Sequence, residues 1–218
     1  MTNTFQLQDA HAAADLRTYL ARVRVVDDTA VRLIAGGGVL AVYSAVLYPR
    51  GLLDSSPTIL GLRTFAEISG AGFDRVVPPA AISDRLAALE TSDGTGAVSL
   101  PDSDVRTSWS GIAPPRGGWE RIGSVSSVAL ELTARDGAGE VARAVPENTG
   151  DLLVQRVRSE VWSRSLDGHP TVPTGVAFAA GSLGFLVGEE EVPLYSSGQW
   201  IRASPVRGHV LVRTGRAG

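Results

Sequence analysis

Trp109-Ser-Gly-Ile-Ala-Pro-Pro-Arg-Gly-Gly-Trp119 is the stretch from which the organisation of the chain is read. Pro114-Pro115 holds the backbone extended and removes two N–H donors, Gly117-Gly118 then frees it, and a tryptophan stands at each end as a large apolar anchor. A stiff segment running into a flexible one between two anchors reads as a packed joint between two small domains. The hydrophobic period differs on either side. Strands between two helices come before it, and helices closed by strands come after. The expectation is an α+β chain in two separately folded parts, residues 1–109 and 120–218, with 110–119 as the Pro/Gly joint packed through Trp109 and Trp119.

Working outward, the 218 residues suffice for two cores of about 100 residues each. No apolar run approaches the roughly 20 residues of a membrane-spanning helix. Met1-Thr-Asn-Thr-Phe-Gln-Leu-Gln-Asp9 has neither the basic start nor the apolar core of a signal peptide. The predicted location is the cytoplasm, with no membrane partner. Cysteine is absent, which excludes disulfides, thiolate nucleophiles and sulfur-ligated metals. Lysine is absent too, and with it Schiff-base chemistry, a pyridoxal anchor and a phosphate-loop lysine. The use of Arg alone is also what codon bias in a GC-rich genome produces. A net charge of −3 argues against nonspecific coating of nucleic acid but leaves room for a local patch. The last twenty residues form such a patch, carrying Arg202, Arg207, Arg213, Arg216 and His209 with no acid.

In the first half, Asp9 is placed to cap a helix in which Leu16, Leu20 and Val23 recur at helical spacing, and Asp27-Asp28 ends it. Val31–Ala35 and Val39–Tyr43 read as a hairpin about Gly36-Gly37-Gly38. Gly36, Gly38 and Ala41 satisfy a dinucleotide-type GxGxxA, but that motif must open a helix, and Val39-Leu-Ala-Val-Tyr43 favours a strand; no cofactor is expected. Strands follow at 59–68 and 73–77. Pro78-Pro79 starts a helix with Ile82, Leu86 and Leu89 as its stripe, and strands at 98–100 and 105–109 finish the half. With its strand, proline junction and Leu-rich helix, Phe73-Asp-Arg-Val-Val-Pro-Pro-Ala-Ala-Ile-Ser-Asp-Arg-Leu-Ala-Ala-Leu89 resembles one subdomain of the bacterial DNA sliding clamp, over residues 5–109. The resemblance implies an antiparallel sheet with two helices. It departs from clamp function in two ways: one such unit cannot close a ring, and the first helix lacks a basic inner face.

In the second half, Gly137, Gly139 and Ala142 again fit GxGxxA, yet Asp151–Trp162 continues with helical spacing at Leu153, Val157 and Val161 where a strand would be required. The reading is a helix over about 125–145, weakened or kinked at its glycines, then a second at 151–162. A loop at His169-Pro-Thr-Val-Pro173 leads to a buried small-residue helix over 174–186. A hairpin with strands at 192–195 and 200–203 precedes a last strand at 207–213. This order resembles a winged helix-turn-helix, without its usual basic recognition helix. As a whole the chain resembles an uncharacterised protein family of actinobacteria, through Tyr48-Pro-Arg-Gly-Leu52, Leu60-Gly-Leu-Arg-Thr-Phe65, Ala113-Pro-Pro-Arg-Gly-Gly-Trp119 and Arg207-Gly-His-Val-Leu-Val-Arg213. That resemblance implies no activity.

The search for chemistry yields no catalytic set. His11, His169 and His209 are far apart without partners at ligand spacing, so no metal is expected. No G-x-S-x-G elbow occurs, and Asp27-Asp28 and Glu189-Glu190-Glu191 read as solvated turns. The four tryptophans read as core and joint anchors. Three functions fit. The first is a noncatalytic interaction protein of DNA transactions, touching DNA or a protein through Arg202, Arg207, His209 and Arg213. The second is a small-anion binder or enzyme with a pocket at the joint near Arg50 and Arg116. The third is a structural oligomerisation module. On the last strand, alternation puts Arg207, His209 and Arg213 on one face and Val210 and Val212 toward the core. The oligomeric state is not readable.

Overall fold

The computed structural model describes residues 4–51, 54–90, 96–102, 104–145 and 150–214. In chain order the elements are β1 (Thr4–Phe5), α1 (Ala10–Val26), β2 (Val31–Gly36), β3 (Val39–Leu47), β4 (Thr58–Ala66), β5 (Phe73–Val77), α2 (Pro79–Glu90), β6 (Val98–Ser99), β7 (Glu120–Ser126), α3 (Ser127–Ala144), α4 (Asp151–Ser163), β8 (Ser165–Leu166), β9 (His169–Pro173), α5 (Gly175–Ser182), β10 (Glu191–Ser197), β11 (Trp200–Ala203) and β12 (His209–Arg213). The α+β class is as expected. The chain divides into two compact units, one of residues 1–45 and 62–112, the other of 46–61 and 113–218.

In the first unit the strand order is β5-β2-β3-β4, with β2 antiparallel to both β3 and β5. β2 buries Val31, Leu33 and Ala35 and leaves Arg32 and Ile34 partly open, the period of two that its sequence carries. Gly37 and Gly38 take left-handed φ values of 61° and 79° in the turn between β2 and β3, which is why the glycines close a hairpin rather than open a phosphate-binding helix. The Asp9 carboxylate accepts the Ala12 N–H at 2.8 Å, capping α1, whose Leu16, Tyr19, Leu20 and Val23 are buried. α1 packs on α2, where Ile82 and Leu86 are buried. Buried Glu67 accepts hydrogen bonds from the backbone N–H groups of Gln6, Ser69 and Ala71 and from the Ser69 hydroxyl, tying the start of the chain to the end of β4. The strand expected at 105–109 does not form. Val105 makes one backbone bond to Val76, at 2.8 Å, after which the chain turns at 108–111 and buries Trp109.

In the second unit the strand order is β4-β12-β11-β10-β7, with β4 contributing residues 58–61. A segment of the first half, 46–61, groups with the second unit. The division otherwise falls between Ile112 and Ala113, within the Pro/Gly stretch. The winged-helix order gives way, because β10 and β11 are inner strands of this sheet rather than a free wing. β7 ends at Ser126, within two residues of the expected helix start, and β9 stands where a loop was expected. Gly123 breaks the alternation in β7, so its Glu-Arg-Ile-Gly-Ser-Val-Ser carries little strand signal. α3 runs unbroken through its glycines. A Cβ on Gly137 would lie 2.4 Å from the Trp162 ring, so this glycine lets α3 approach α4 closely while Trp162 stacks on Phe178 of α5 at 4.6 Å. Register and alternation put Val192, Leu194, Ile201, Ala203, Val210 and Val212 on one buried face.

Candidate functional site

The opposite face of the second unit's sheet carries polar and aromatic side chains in register. Arg121, Tyr195, Arg202 and Leu211 are directly opposed across β7, β10, β11 and β12, and Ser197, Trp200 and Arg213 form the next row. The β7–β10 register shifts between Leu194 and Tyr195, pairing Gly123 with Leu194 and Arg121 with Tyr195. That irregularity brings Arg121 into the row.

Arg202 is the centre of the arrangement. Its guanidinium carbon lies 4.6 Å from the Trp119 ring centroid and 4.6 Å from that of Tyr195. Two such contacts are each worth about 0.5–1 kcal/mol, and the weak hydration of a guanidinium suits it to this setting better than an ammonium. Trp119 is held in turn by its indole N–H, which donates to the Pro115 carbonyl at 3.2 Å. The Pro-Pro/Gly-Gly stretch thus folds its second tryptophan onto Arg202, while the first is buried in the other unit's core. Among the described residues no carboxylate pairs with Arg202, and its buried Nε has no hydrogen-bond partner. A half-buried guanidinium held between rings with its buried Nε unmet is costly unless a ligand meets it.

His209 adds a neutral group. Its Nδ1 lies 3.0 Å from the Ser204 hydroxyl oxygen. Burial, and after it the charge of Arg202, hold its pKa below the ordinary 6.5. A Ser–His pair therefore exists, but among the described residues no carboxylate bonds to the ring, and the third member of a nucleophilic triad is missing. Arg213 is exposed beside the row, and Arg207 is exposed in the turn before β12. Leu211 shares the His209 and Arg213 side of β12 yet is 1% exposed, so that side of the strand is more covered than alternation alone implies. Arg216 and Leu52 lie outside the described residues.

The pair read at the joint is dispersed in role. Arg50 stacks on Tyr48 at 4.2 Å and its backbone N–H donates to the Asp54 carboxylate, whereas Arg116 is exposed without an ion pair among the described residues. No group of three His, Asp or Glu side chains among the described residues could hold a metal ion. No described helix is long and apolar enough to cross a membrane. Arg202 and His209 are among the residues named from the sequence, whereas Trp119 and Tyr195 beside Arg202, and Arg121 in its row, were not named for this face. The available signal was the alternation that puts Tyr195 and Arg202 on matching strand positions.

Comparison with known proteins follows the same division. Residues 1–111 match the family described as domain of unknown function DUF8010, and residues 114–217 match domain of unknown function DUF8185. No curated protein matches the sequence. Among solved structures, the fold is similar to DNA polymerase III subunit beta from Borrelia burgdorferi in complex with a natural product, at 10% identity and a TM-score of 0.53, covering 98% of this chain and 65% of that one. It is similar to a DnaN sliding clamp from Bartonella birtlesii bound to griselimycin, at 13% identity and 0.51, covering 98% and 65%. It is also similar to pol III beta from Caulobacter crescentus, at 12% identity and 0.50, covering 98% and 66%. The chain thus has a sliding-clamp-like fold and spans just under two thirds of the length of these structures.

Proposed function

We propose that this chain, which belongs to the family described as domain of unknown function DUF8010, is a noncatalytic interaction protein of DNA transactions that engages an anionic backbone through the second unit's sheet. One observation carries the reading: Arg202 sits between Trp119 and Tyr195 with a buried, unmet donor and no carboxylate. Arg121 lies in the same row, about 10 Å away across two strand spacings, and Arg213 in the next. Arginines flanked by aromatic rings suit a phosphate-bearing chain, since the edge of the guanidinium can donate to phosphate oxygens while its faces stay covered. The likeness to DNA polymerase III beta subunits and sliding clamps supports DNA over an acidic protein as the partner.

The test is fluorescence anisotropy with a labelled duplex at about 20 and 200 mM salt. The unmodified chain is expected to bind at low salt and to weaken steeply as salt rises. Replacing Arg202, Arg207 and Arg213 by Gln removes that binding while the circular dichroism spectrum is retained. No salt-sensitive binding by the unmodified chain at low ionic strength overturns the nucleic-acid reading.

A further inference from the structure

The second unit also contains a groove of about 660 Å³, within the usual range for small-molecule sites and separate in its chemistry from the arginine face. It is formed by the β10–β11 turn, the start of β11, the β8–β9 pair, the end of α4, the segment before β4, Ile122 of β7 and Thr214. Among the described residues no charged side chain lines it. Ser55, Ser163, Thr171, Ser196, Gln199 and Trp200 are among the lining residues, and their side-chain polar groups make no hydrogen bond among the described residues. From the structure we infer that this groove binds a neutral, polyhydroxylated ligand of oligosaccharide class, independently of the anion-binding reading.

Three physical reasons select that class. An ionic ligand would surrender its hydration to a wall that offers no counter-charge, whereas hydroxyls and an amide can both donate to and accept from ligand hydroxyls. The apolar share of the wall comes from Pro57, Pro170, Pro173, Ile122 and Trp200, flat or rigid surfaces suited to the C–H faces of a sugar ring. The prolines also argue against an added peptide strand. Pro170 and Pro173 lack the N–H groups that β9 would need to pair with one, so recognition must run through side chains. The groove is assembled from five or more segments held by β8–β9 and β10–β11 pairing, which fixes its polar groups before any ligand arrives.

The experiment uses the full chain and saturation-transfer NMR with maltotriose, cellotriose and triacetylchitotriose, with 3′-sialyllactose as an anionic trisaccharide of similar size. Tryptophan fluorescence gives the affinity through Trp200. At least one neutral trisaccharide is expected to bind saturably and more tightly than 3′-sialyllactose. Thr171→Val and Gln199→Leu, both at exposed positions, should each weaken it by about tenfold, and Thr171→Ser should restore it. Absence of saturable binding by all three neutral probes at about 10 mM overturns the proposal. Equal binding of the anionic sugar, or affinity unchanged in Thr171→Val and Gln199→Leu, does so as well.

Discussion

The arginines on the first unit's strands and those on the second unit's sheet face are treated in opposite ways. Arg32 on β2 donates from Nε and Nη2 to both oxygens of Asp74 at 2.7 and 2.6 Å, and from Nη1 to the Ser110 carbonyl at 2.7 Å. Arg75 on β5 meets Asp104 at 2.5 Å, and Arg63 on β4 meets Asp15. Each of these side chains is less than a fifth exposed, and each has its charge answered within the unit. Arg202 is also half-buried, but rings stand where carboxylates would, and its Nε is unmet. Charge matched locally holds a fold together. Charge left unmatched in a prepared setting is free to meet something from outside.

The largest effect expected from breaking this contrast is at Glu67, a buried charge of the first unit matched by hydrogen bonds alone. Glu67→Ala leaves three backbone N–H groups and one hydroxyl without their acceptor, the Ala71 N–H in a buried place and the others partly buried, a loss of about 2 kcal/mol in unfolding free energy, read as a denaturant midpoint. The pH dependence sharpens it. Burial acts to raise the Glu67 pKa, but hydrogen bonds from Ser69, Gln6 and Ala71 outweigh it and hold the carboxyl below its ordinary 4.5. A lowered folded value means that the unfolded chain takes up the proton first. The stabilisation is therefore present above about 4.5 and is lost as the pH falls through the folded value. Glu67→Gln should flatten that acid limb.

A smaller effect is expected at Arg32. Arg32→Met removes three hydrogen bonds but leaves Asp74 half in water, so the loss should be about 1 kcal/mol and should shrink as salt rises. A loss that ignored salt would mean that the Ser110 carbonyl, rather than the ion pair, dominates.

The first unit was more legible than the second, for a physical reason. Its signals are local: Asp9 caps three residues ahead, Val31, Leu33 and Ala35 alternate, and Gly37-Gly38 turns within its own hairpin. The second unit depends on partners distant in sequence. Nothing near residues 58–61 indicates that β4 runs beside β12, and the glycine-broken β7 becomes a strand because β10 supplies its ladder. The strand expected at 105–109 failed for the converse reason, since a β-rich composition yielded to burial of Trp109 after a turn. On this face, Arg202 could be named from the acid-free charge of the last twenty residues and His209 from strand parity. Trp119 and Arg121 could not, because one reaches Arg202 from a turn 83 residues earlier in sequence and the other enters the row through a register irregularity.

The smallest effect on stability, and the sharpest on binding, is expected at Arg202. Arg202→Met keeps an unbranched stem that fills the space between Trp119 and Tyr195, and it removes no hydrogen bond of Nε, because none is made. The loss of two cation–π contacts is offset by relief of the unmet donor, so the midpoint of unfolding should move by no more than about 0.5 kcal/mol. His209 provides an internal gauge in the same variant. Its pKa is lowered by burial first and by the Arg202 charge second, so removing that charge should raise it part of the way toward 6.5 while burial keeps it below. Titration of the His209 ring by NMR reads this directly. An unmoved His209 would show that Arg202 does not act on it electrostatically, and a loss of several kcal/mol would show that the guanidinium is a structural group like Arg32. If instead the fold is unchanged, His209 shifts upward and salt-dependent DNA binding disappears, the unmatched arginine is the one kept for a partner.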